Sequence, residues 1–398
     1  MLIVHLVSHA FLPADDGGRL KSASLAHALA QRGELHILSL DDDHRRKSNQ
    51  PPVQRIELPW GGQAHYHSHL GVSRKRGLLG AGLDALWSPA PWAWRPPTPR
   101  HAAVWRALES LKPDLVVADE TWLAPFAAFA SARARVIHTH NLESAASLEH
   151  AVTEPARARH HRRMADRYAR VERELFPKVD QIWGVRDEDL AAYAAAGTSR
   201  AALKLIPNAV PEAAFLPYPA PGEPGLGLFV GSLWHGPNAE AALAMADLST
   251  ALAARHAPAR LVVAGRGASA QLEIRARESG LELPGFVEDL PGLLRRAAVI
   301  VAPMRGGGGT KLKLIEAMAA AKPILTTPEG AAGLGLEDEV HALIRPLGPS
   351  FLEALEEMLT RPELHHPMGL RARRLAEERY SLEALTAAVH AALDELAV

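Results

Sequence analysis

The stretch Arg305-Gly306-Gly307-Gly308-Gly309-Thr310-Lys311-Leu312-Lys313-Leu314-Ile315-Glu316-Ala317-Met318 carries the most chemistry in the chain. Four glycines let the backbone approach a ligand, and the start of the helix that follows offers N–H groups and a positive dipole end, so an anion site is expected here. It is not a Walker A loop. The G-x-x-x-x-G-K-[ST] spacing is absent, and Thr310 precedes Lys311 instead of following it. In a helix running from about Lys311, Lys313 and Glu316 share a face, Leu312, Ile315 and Ala319 form the apolar stripe, and Lys311 points elsewhere. A carboxylate one turn beyond an anion site suits ribose hydroxyls, as in dinucleotide folds. The bland alternative is a surface Lys–Glu pair on a glycine-started helix. A second glycine pair, Gly17 and Gly18, also precedes a helix and can offer amides to a phosphate or an acceptor hydroxyl, although alone it reads equally as a tight turn.

Apolar runs of strand length alternate with Ala- and Leu-rich stretches, which predicts parallel sheets made of βαβ units and an α/β fold. Strands are expected at residues 2–7, 35–40, 115–118, 135–138, 179–185 and 204–207, and a helix from Leu20 to Gln31. The densest cluster of prolines and glycines lies between Pro211 and Gly227, and it is taken as the domain boundary. After it the pattern restarts with strands at 226–231, 260–265, 284–287, 298–303 and 323–327 and a helix near 239–256. Two doubly wound domains are expected, residues 1–214 and 226–380, with a final helix in 381–398 returning to the first. Each opens with strand, glycine loop and helix.

Composition narrows the classes. With 44 Lys plus Arg against 45 Asp plus Glu, the net charge of −1 lacks the basic footprint of a nucleic-acid binder. The absence of cysteine excludes disulfides, thiolate metal sites and a Cys nucleophile. Met1 to Ala10 has no basic n-region, Asp15-Asp16 comes early for a signal peptide, and no run of roughly 18 uncharged apolar residues occurs, so a cytoplasmic protein is expected. Ser8, Ser22 and Ser24 show no nucleophile elbow. Gly265-Arg266-Gly267 stops short of a G-x-G-x-x-G, which disfavours a dehydrogenase.

Taken together, Gly17-Gly18, His140-Asn141, Ile206-Pro207-Asn208-Ala209-Val210, Phe229-Val230-Gly231-Ser232, Val262-Val263-Ala264-Gly265, Gly285 to Leu290 and Gly306 to Glu316 resemble a retaining glycosyltransferase of family 4. The resemblance covers nearly the whole chain and is strongest from Leu226 to Arg345. It implies a GT-B architecture, two Rossmann-like domains facing each other across a cleft, with the acceptor in the N-terminal domain and a nucleotide-sugar donor in the C-terminal one. It further implies that Phe286, Val287 and Glu288 meet the base, Glu316 the ribose, and Gly306, Gly307, Gly308, Gly309 and Thr310 with Gly18 the diphosphate. Gly231, Ser232 and Gly265 complete the donor loops, and His140 approaches the sugar. Transfer would retain configuration without an obligatory metal or cofactor, on a UDP-, GDP-, ADP- or TDP-sugar. The acceptor would be a sugar, lipid-linked or small molecule, as in cell-envelope or polysaccharide biosynthesis.

The chain departs from the family in two places. Of the paired glutamates E-x7-E only Glu316 remains, the earlier position being Gly308; a subset of the family shares the Gly-Gly-Gly-Thr-Lys-Leu-Lys loop. The Arg and Lys usual after the first C-domain strand are replaced near Ser232 and Pro237, which leaves Arg305, Lys311 and Lys313 as candidate cations at the leaving group, Lys313 foremost. Two rivals follow: a non-catalytic nucleotide-sugar-binding scaffold, and a GT-B nucleotide-sugar epimerase, which the loss at Gly308 disfavours.

His140 follows the strand that ends near His138 and so lies at its carboxyl end, where α/β sheets place ligands, yet a strand-end histidine is also a common structural hydrogen-bonding residue. Asn141, Trp87 and Trp92, with Trp94, are acceptor-side candidates; aromatics near proline also plug cores. His65-Tyr66-His67-Ser68-His69 has metal-ligand character but no carboxylate within three residues, so a solvated loop is expected there. Arg157, Arg159, Arg162, Arg163, Arg167, Arg170 and Arg173 mark a basic helix, read as a solvated face or as a peripheral contact with an anionic membrane.

Overall fold

The computed structural model describes residues 1–14, 17–40, 53–67, 99–153, 157–195, 197, 202–217 and 220–396. Trp87, Trp92, Trp94, Asp15, Asp16 and His69 lie outside them. The chain divides into two compact units, Met1–Asn208 with Leu385–Val398, and Ala209–Ala384. The division precedes the proline-glycine cluster because the Val210 amide already donates to the Tyr380 carbonyl, within the second unit.

In the first unit the strands are β1 (Leu2–Val7), β2 (Glu34–Ser39), β3 (Val53–Glu57), β4 (Gln63–His67), β5 (Leu115–Asp119), β6 (Ala134–Thr139), β7 (Gln181–Gly184) and β8 (Leu203–Leu205). They form one sheet in the order β3-β4-β2-β1-β5-β6-β7-β8. Only the β3–β4 pairing is antiparallel among the described ladders. Helices α1 (Gly17–Ala30), α2 (Pro99–Leu111), α3 (Ala124–Ala128), α4 (Glu143–Thr153), α5 (Ala158–Leu175) and α6 (Asp187–Ala195) belong to this unit. The central strands are apolar on both faces because helices cover both, as parallel βαβ construction requires. β3 and β4 replace the loop expected around His65.

The second unit contains β9 (Glu223–Val230), β10 (Arg260–Ala264), β11 (Glu282–Gly285), β12 (Ala297–Ala302), β13 (Ile324–Thr326) and β14 (Leu343–Ile344), parallel throughout in the order β11-β10-β9-β12-β13-β14. Its helices are α7 (Gly236–Ala254), α8 (Ala270–Ser279), α9 (Leu290–Arg296), α10 (Leu312–Ala319), α11 (Pro328–Ala331), α12 (Pro349–Thr360) and α13 (Pro362–Arg379). α7 starts with Pro237 in its first turn, where the missing N–H costs nothing. α8 is capped by Ser269, whose hydroxyl accepts from the Leu272 amide at 3.2 Å, and it ends at left-handed Gly280. A core of strand valines, leucines and isoleucines lies between the sheet and these helices.

The last helix, α14 (Leu382–Asp394), contributes its residues from Leu385 onward to the first unit. There Gln181 Nε2 donates to the Ala392 carbonyl at 2.9 Å, and Lys204 pairs with Glu395. Among the described residues no helix is long and apolar enough to cross a membrane.

Candidate active site

In the second unit β9 lies between β10 and β12, so successive connections leave it in opposite directions. Such a switch point opens a crevice at the carboxyl ends of the strands, which is where α/β folds bind ligands. The segments leaving those ends are Gly231-Ser232 after β9, Gly265 after β10, Phe286 after β11 and the glycine loop after β12.

These segments are tied closely. A Cβ on Gly265 would sit 1.8 Å from the Gly231 carbonyl oxygen, and its φ is +154°, so only glycine allows the two loops this approach. A Cβ on Gly231 would fall 2.9 Å from Asn238 Nδ2 and 3.3 Å from Lys313 Nζ. Lys313 Nζ donates to Asn238 Oδ1, and Asn238 Nδ2 donates to the Ser232 carbonyl at 2.9 Å. The same ammonium lies 4.8 Å from the centre of the Phe229 ring, within cation–π range. Burial pushes the half-buried Lys313 down to about 7, with the neighbouring Lys311 charge acting in the same direction and Glu316 against it. Burial likewise pushes the half-buried Glu316 up to about 7, against the pull of Lys313. Two groups one helical turn apart are thus both shifted to near neutrality.

Lys311 differs from its neighbour. It is buried, precedes α10 as the cap residue, and donates from Nζ to the Gly307 carbonyl at 2.7 Å and, more weakly, to that of Gly309 at 3.4 Å. It closes the glycine loop on itself. Gly307 and Gly309 have φ of +108° and +63°, the left-handed backbone that lets the loop turn. Thr310 is buried, Gly306 and Gly308 are half-buried, and Arg305 is exposed. Phe286 is exposed with the Arg266 guanidinium stacked 4.0 Å from its ring centre, and Glu288 is exposed while Val287 is half-buried.

The first unit has its own switch point, at β1 between β2 and β5. Asp119, at the end of β5, is buried and accepts from four side chains. These are Ser22 Oγ at 2.6 Å, His138 Nδ1 and His140 Nε2 at 2.8 Å each, and His5 Nε2 at 3.2 Å. Burial would raise its carboxyl, but the His140 charge and the histidine hydrogen bonds outweigh this and hold it well below the usual carboxylate range. Parallel register brings the group together, pairing Asp119 with His138 and placing His5 diagonally across β1. His140 follows β6 directly and is nearly buried, its Nε2 fixed by Asp119.

Glu120, the next residue, is held at φ +113°, which is strained for a residue with a side chain. Around it stand Glu143, raised by burial, and Lys21, lowered by burial. Asn141 Nδ2 donates to Glu143 at 3.1 Å, and Tyr193 donates to the Asn141 carbonyl at 3.0 Å. Gly17 and Gly18 form the first residues of α1, Gly17 exposed and Gly18 half-buried.

Within the second unit the structure brings Gly231, Ser232, Gly265, Lys313 and the 306–311 loop to one crevice. Sequence reasoning missed Asn238, Asp119, His5, His138 and Glu120. Asp119 and Asn238 left a signal, a polar residue closing an apolar strand run and an asparagine in the first turn of a helix, but their partners lie far away in sequence.

Residues 225–361 match the family model described as glycosyl transferases group 1. No curated protein matches the chain. The solved structures of similar fold include a sucrose-phosphate synthase from Thermosynechococcus elongatus, 17% identical over 100% of this chain and 99% of that one, with a TM-score of 0.72. HepE from Anabaena, solved with UDP and glucose, is 16% identical over 99% of this chain and 100% of its own, with a TM-score of 0.67. WaaG, a glycosyltransferase involved in lipopolysaccharide biosynthesis, is 16% identical over 98% of both chains, with a TM-score of 0.66. The chain therefore has the GT-B fold of these glycosyltransferases, and its second unit carries the segment that the group 1 family model describes.

Proposed function

We propose that the protein transfers a sugar from a nucleotide-sugar donor to an acceptor with retention of configuration. The observation that carries this is the half-buried Lys313, held by Asn238 beside the glycine loop at the switch point of the matched segment. In this reading the 306–310 backbone and Lys313 take up the negative charge of the departing diphosphate, the largest contribution such a site makes to rate. Glu316 accepts from the ribose, Phe286, Val287 and Glu288 line the base, and Arg305 adds an exposed cation. His140, fixed by Asp119, acts on the donor sugar, and Asn141 with the Lys21, Glu120 and Glu143 group serves the acceptor. The proposed step needs no obligatory metal or cofactor, because the loop amides and the Lys313 cation take the leaving-group charge.

The donor favoured is a UDP-sugar, since HepE is solved with UDP and glucose and a trehalose-6-phosphate protein from E. coli with UDP-2-fluoro glucose. The acceptor is a sugar, lipid-linked or small molecule. A lipid-linked acceptor would use the exposed arginines of α5, Arg159, Arg162, Arg163, Arg170 and Arg173, for peripheral contact with the inner face of a membrane. Gly308 in place of the first paired glutamate supports a second reading, a scaffold that binds the nucleotide sugar without turnover. Calorimetric titration with UDP, GDP, ADP and TDP, then with their sugars, tests both. Binding to none overturns the proposal, and saturable binding with no transfer in a single turnover selects the scaffold.

A further inference from the structure

The histidines of β4 lie beside a carboxylate that the linear sequence keeps apart from them. β2 and β4 run parallel with His36 opposite His65, so both imidazoles leave the same face of the sheet, and Glu34 leaves it two residues earlier on β2. The two rings stack with centres 4.7 Å apart and planes 23° apart. Each directs Nε2 at one atom: Glu34 Oε1 is 3.2 Å from His36 Nε2 and 3.5 Å from His65 Nε2. All three ligand atoms fall within 4.8 Å of one another.

From this juxtaposition we infer a binding site for a divalent transition-metal ion of the zinc class, held by Glu34 Oε1, His36 Nε2 and His65 Nε2. A tetrahedral zinc ion with bonds of ~2.0–2.1 Å sets its ligand atoms ~3.3 Å apart, and the two carboxylate–imidazole separations bracket that value. His36 Nδ1 lies 3.0 Å from His67 Nε2, where the outer hydrogen bond that orients a metal-binding histidine is made, and in the metal-bound form His36 Nδ1 is its donor. With the proton on Nδ1 and shared with His67, the lone pair of His36 Nε2 faces the carboxylate, an arrangement a cation satisfies. Two imidazoles and one carboxylate suit zinc, nickel or copper better than calcium or magnesium. The side chains of Glu34 and His65 are 58% and 39% exposed, so ions and a completing water reach the site.

The site's position indicates its role. Glu34 begins β2, whereas Asp119 and His140 stand at the opposite, carboxyl ends of the strands. The ion is therefore a structural clip that joins β4, and through it β3, to β2. This inference does not depend on the transferase reading.

The full-length chain, stripped with chelator and titrated with zinc, tests it. One zinc per chain should bind this site, raising the unfolding temperature, and cobalt in its place should give the intense visible bands of tetrahedral coordination. Glu34→Gln, at an exposed position, and His65→Ala, at a half-buried one, should each weaken zinc binding at least ~10-fold. His160→Ala, on the exposed face of α5, should leave it unchanged. Absence of saturable binding overturns the inference and leaves a carboxylate bridged by two protonated imidazole nitrogens. Full zinc binding in both Glu34→Gln and His65→Ala also overturns it, and loss on His140→Ala instead assigns the ion to the Asp119 cluster.

Discussion

Lys313 donates its ammonium proton to Asn238 Oδ1, joining the helix after the glycine loop to the first turn of the helix after β9. Asn238 in turn holds the Ser232 carbonyl at 2.9 Å, so one amide side chain fixes both the cation and the loop beside it. A preorganised cation costs little reorganisation when charge develops on a leaving group.

Lys313→Met should therefore lower single-turnover sugar transfer by about 10²–10³ with donor saturating, comparable to losing one preorganised oxyanion donor. Lys311→Met should act differently, because Lys311 spends its donors on the Gly307 and Gly309 carbonyls. It should weaken donor binding through a looser loop while the saturated rate stays within about threefold. Equal rate losses at saturation would remove the distinction between the two lysines.

Glu316→Ala should weaken nucleoside diphosphate binding by roughly ten- to hundredfold, the value of a charge-assisted hydrogen bond of about 1.5–3 kcal/mol, while inorganic pyrophosphate binding changes much less. Parallel losses for both ligands in titration calorimetry would separate Glu316 from the ribose.

Proton exchange on binding should reverse sign near neutrality. Lys313 is pushed down to about 7, so at pH 8 it is mostly neutral, and a bound diphosphate recharges it with uptake of a proton. Glu316 is pushed up to about 7, so at pH 6 it is mostly protonated, and accepting ribose hydroxyls ionises it with release of a proton. Calorimetry of UDP binding in buffers of different ionisation enthalpy reads both signs. A heat independent of buffer at both pH values would contradict this assignment.

His140→Ala should leave donor affinity within about threefold and cut turnover at least ~100-fold. Asp119→Asn should lower stability by about 3–5 kcal/mol at pH 7, since it removes a buried charge from its histidine partners. Because the folded Asp119 carboxyl lies below its ordinary 3.8, its stabilisation is fully present above about pH 4 and is lost as pH falls through the folded value. Urea unfolding of both proteins across that range should show the gap closing toward acid; a constant gap would mean that the charge is not what stabilises.

Much of the fold was legible in sequence because apolar strand runs in parallel sheets are continuous, and the position of the glycine loop between a strand and a helix was legible from its four glycines. β3 and β4 were not, since Val53–Glu57, on the sheet edge, and Gln63–His67, next to it, are short, carry many polar residues and resemble a loop. The loop helix begins at Leu312, one residue after the expected Lys311, which leaves Lys313 and Glu316 on their shared face. Partnerships made across the fold were invisible: Asp119 with His5 and Glu34 with His65 depend on strand order, and Lys313 with Asn238 on two helices that follow neighbouring strands, none of which periodicity encodes.

The helix Leu382–Asp394 has a bearing on biosynthesis. Its residues from Leu385 onward complete the first unit, where His390 reaches the Ala28 carbonyl at 3.1 Å and Gln181 is held by Ala392. On the ribosome, residues 1–208 emerge early yet lack this piece, while residues 209–384 can close as soon as they appear. The unit translated first is thus the one finished last, and until then the surface beside Gln181 and Ala28 on which this helix packs stays open to solvent and to other chains.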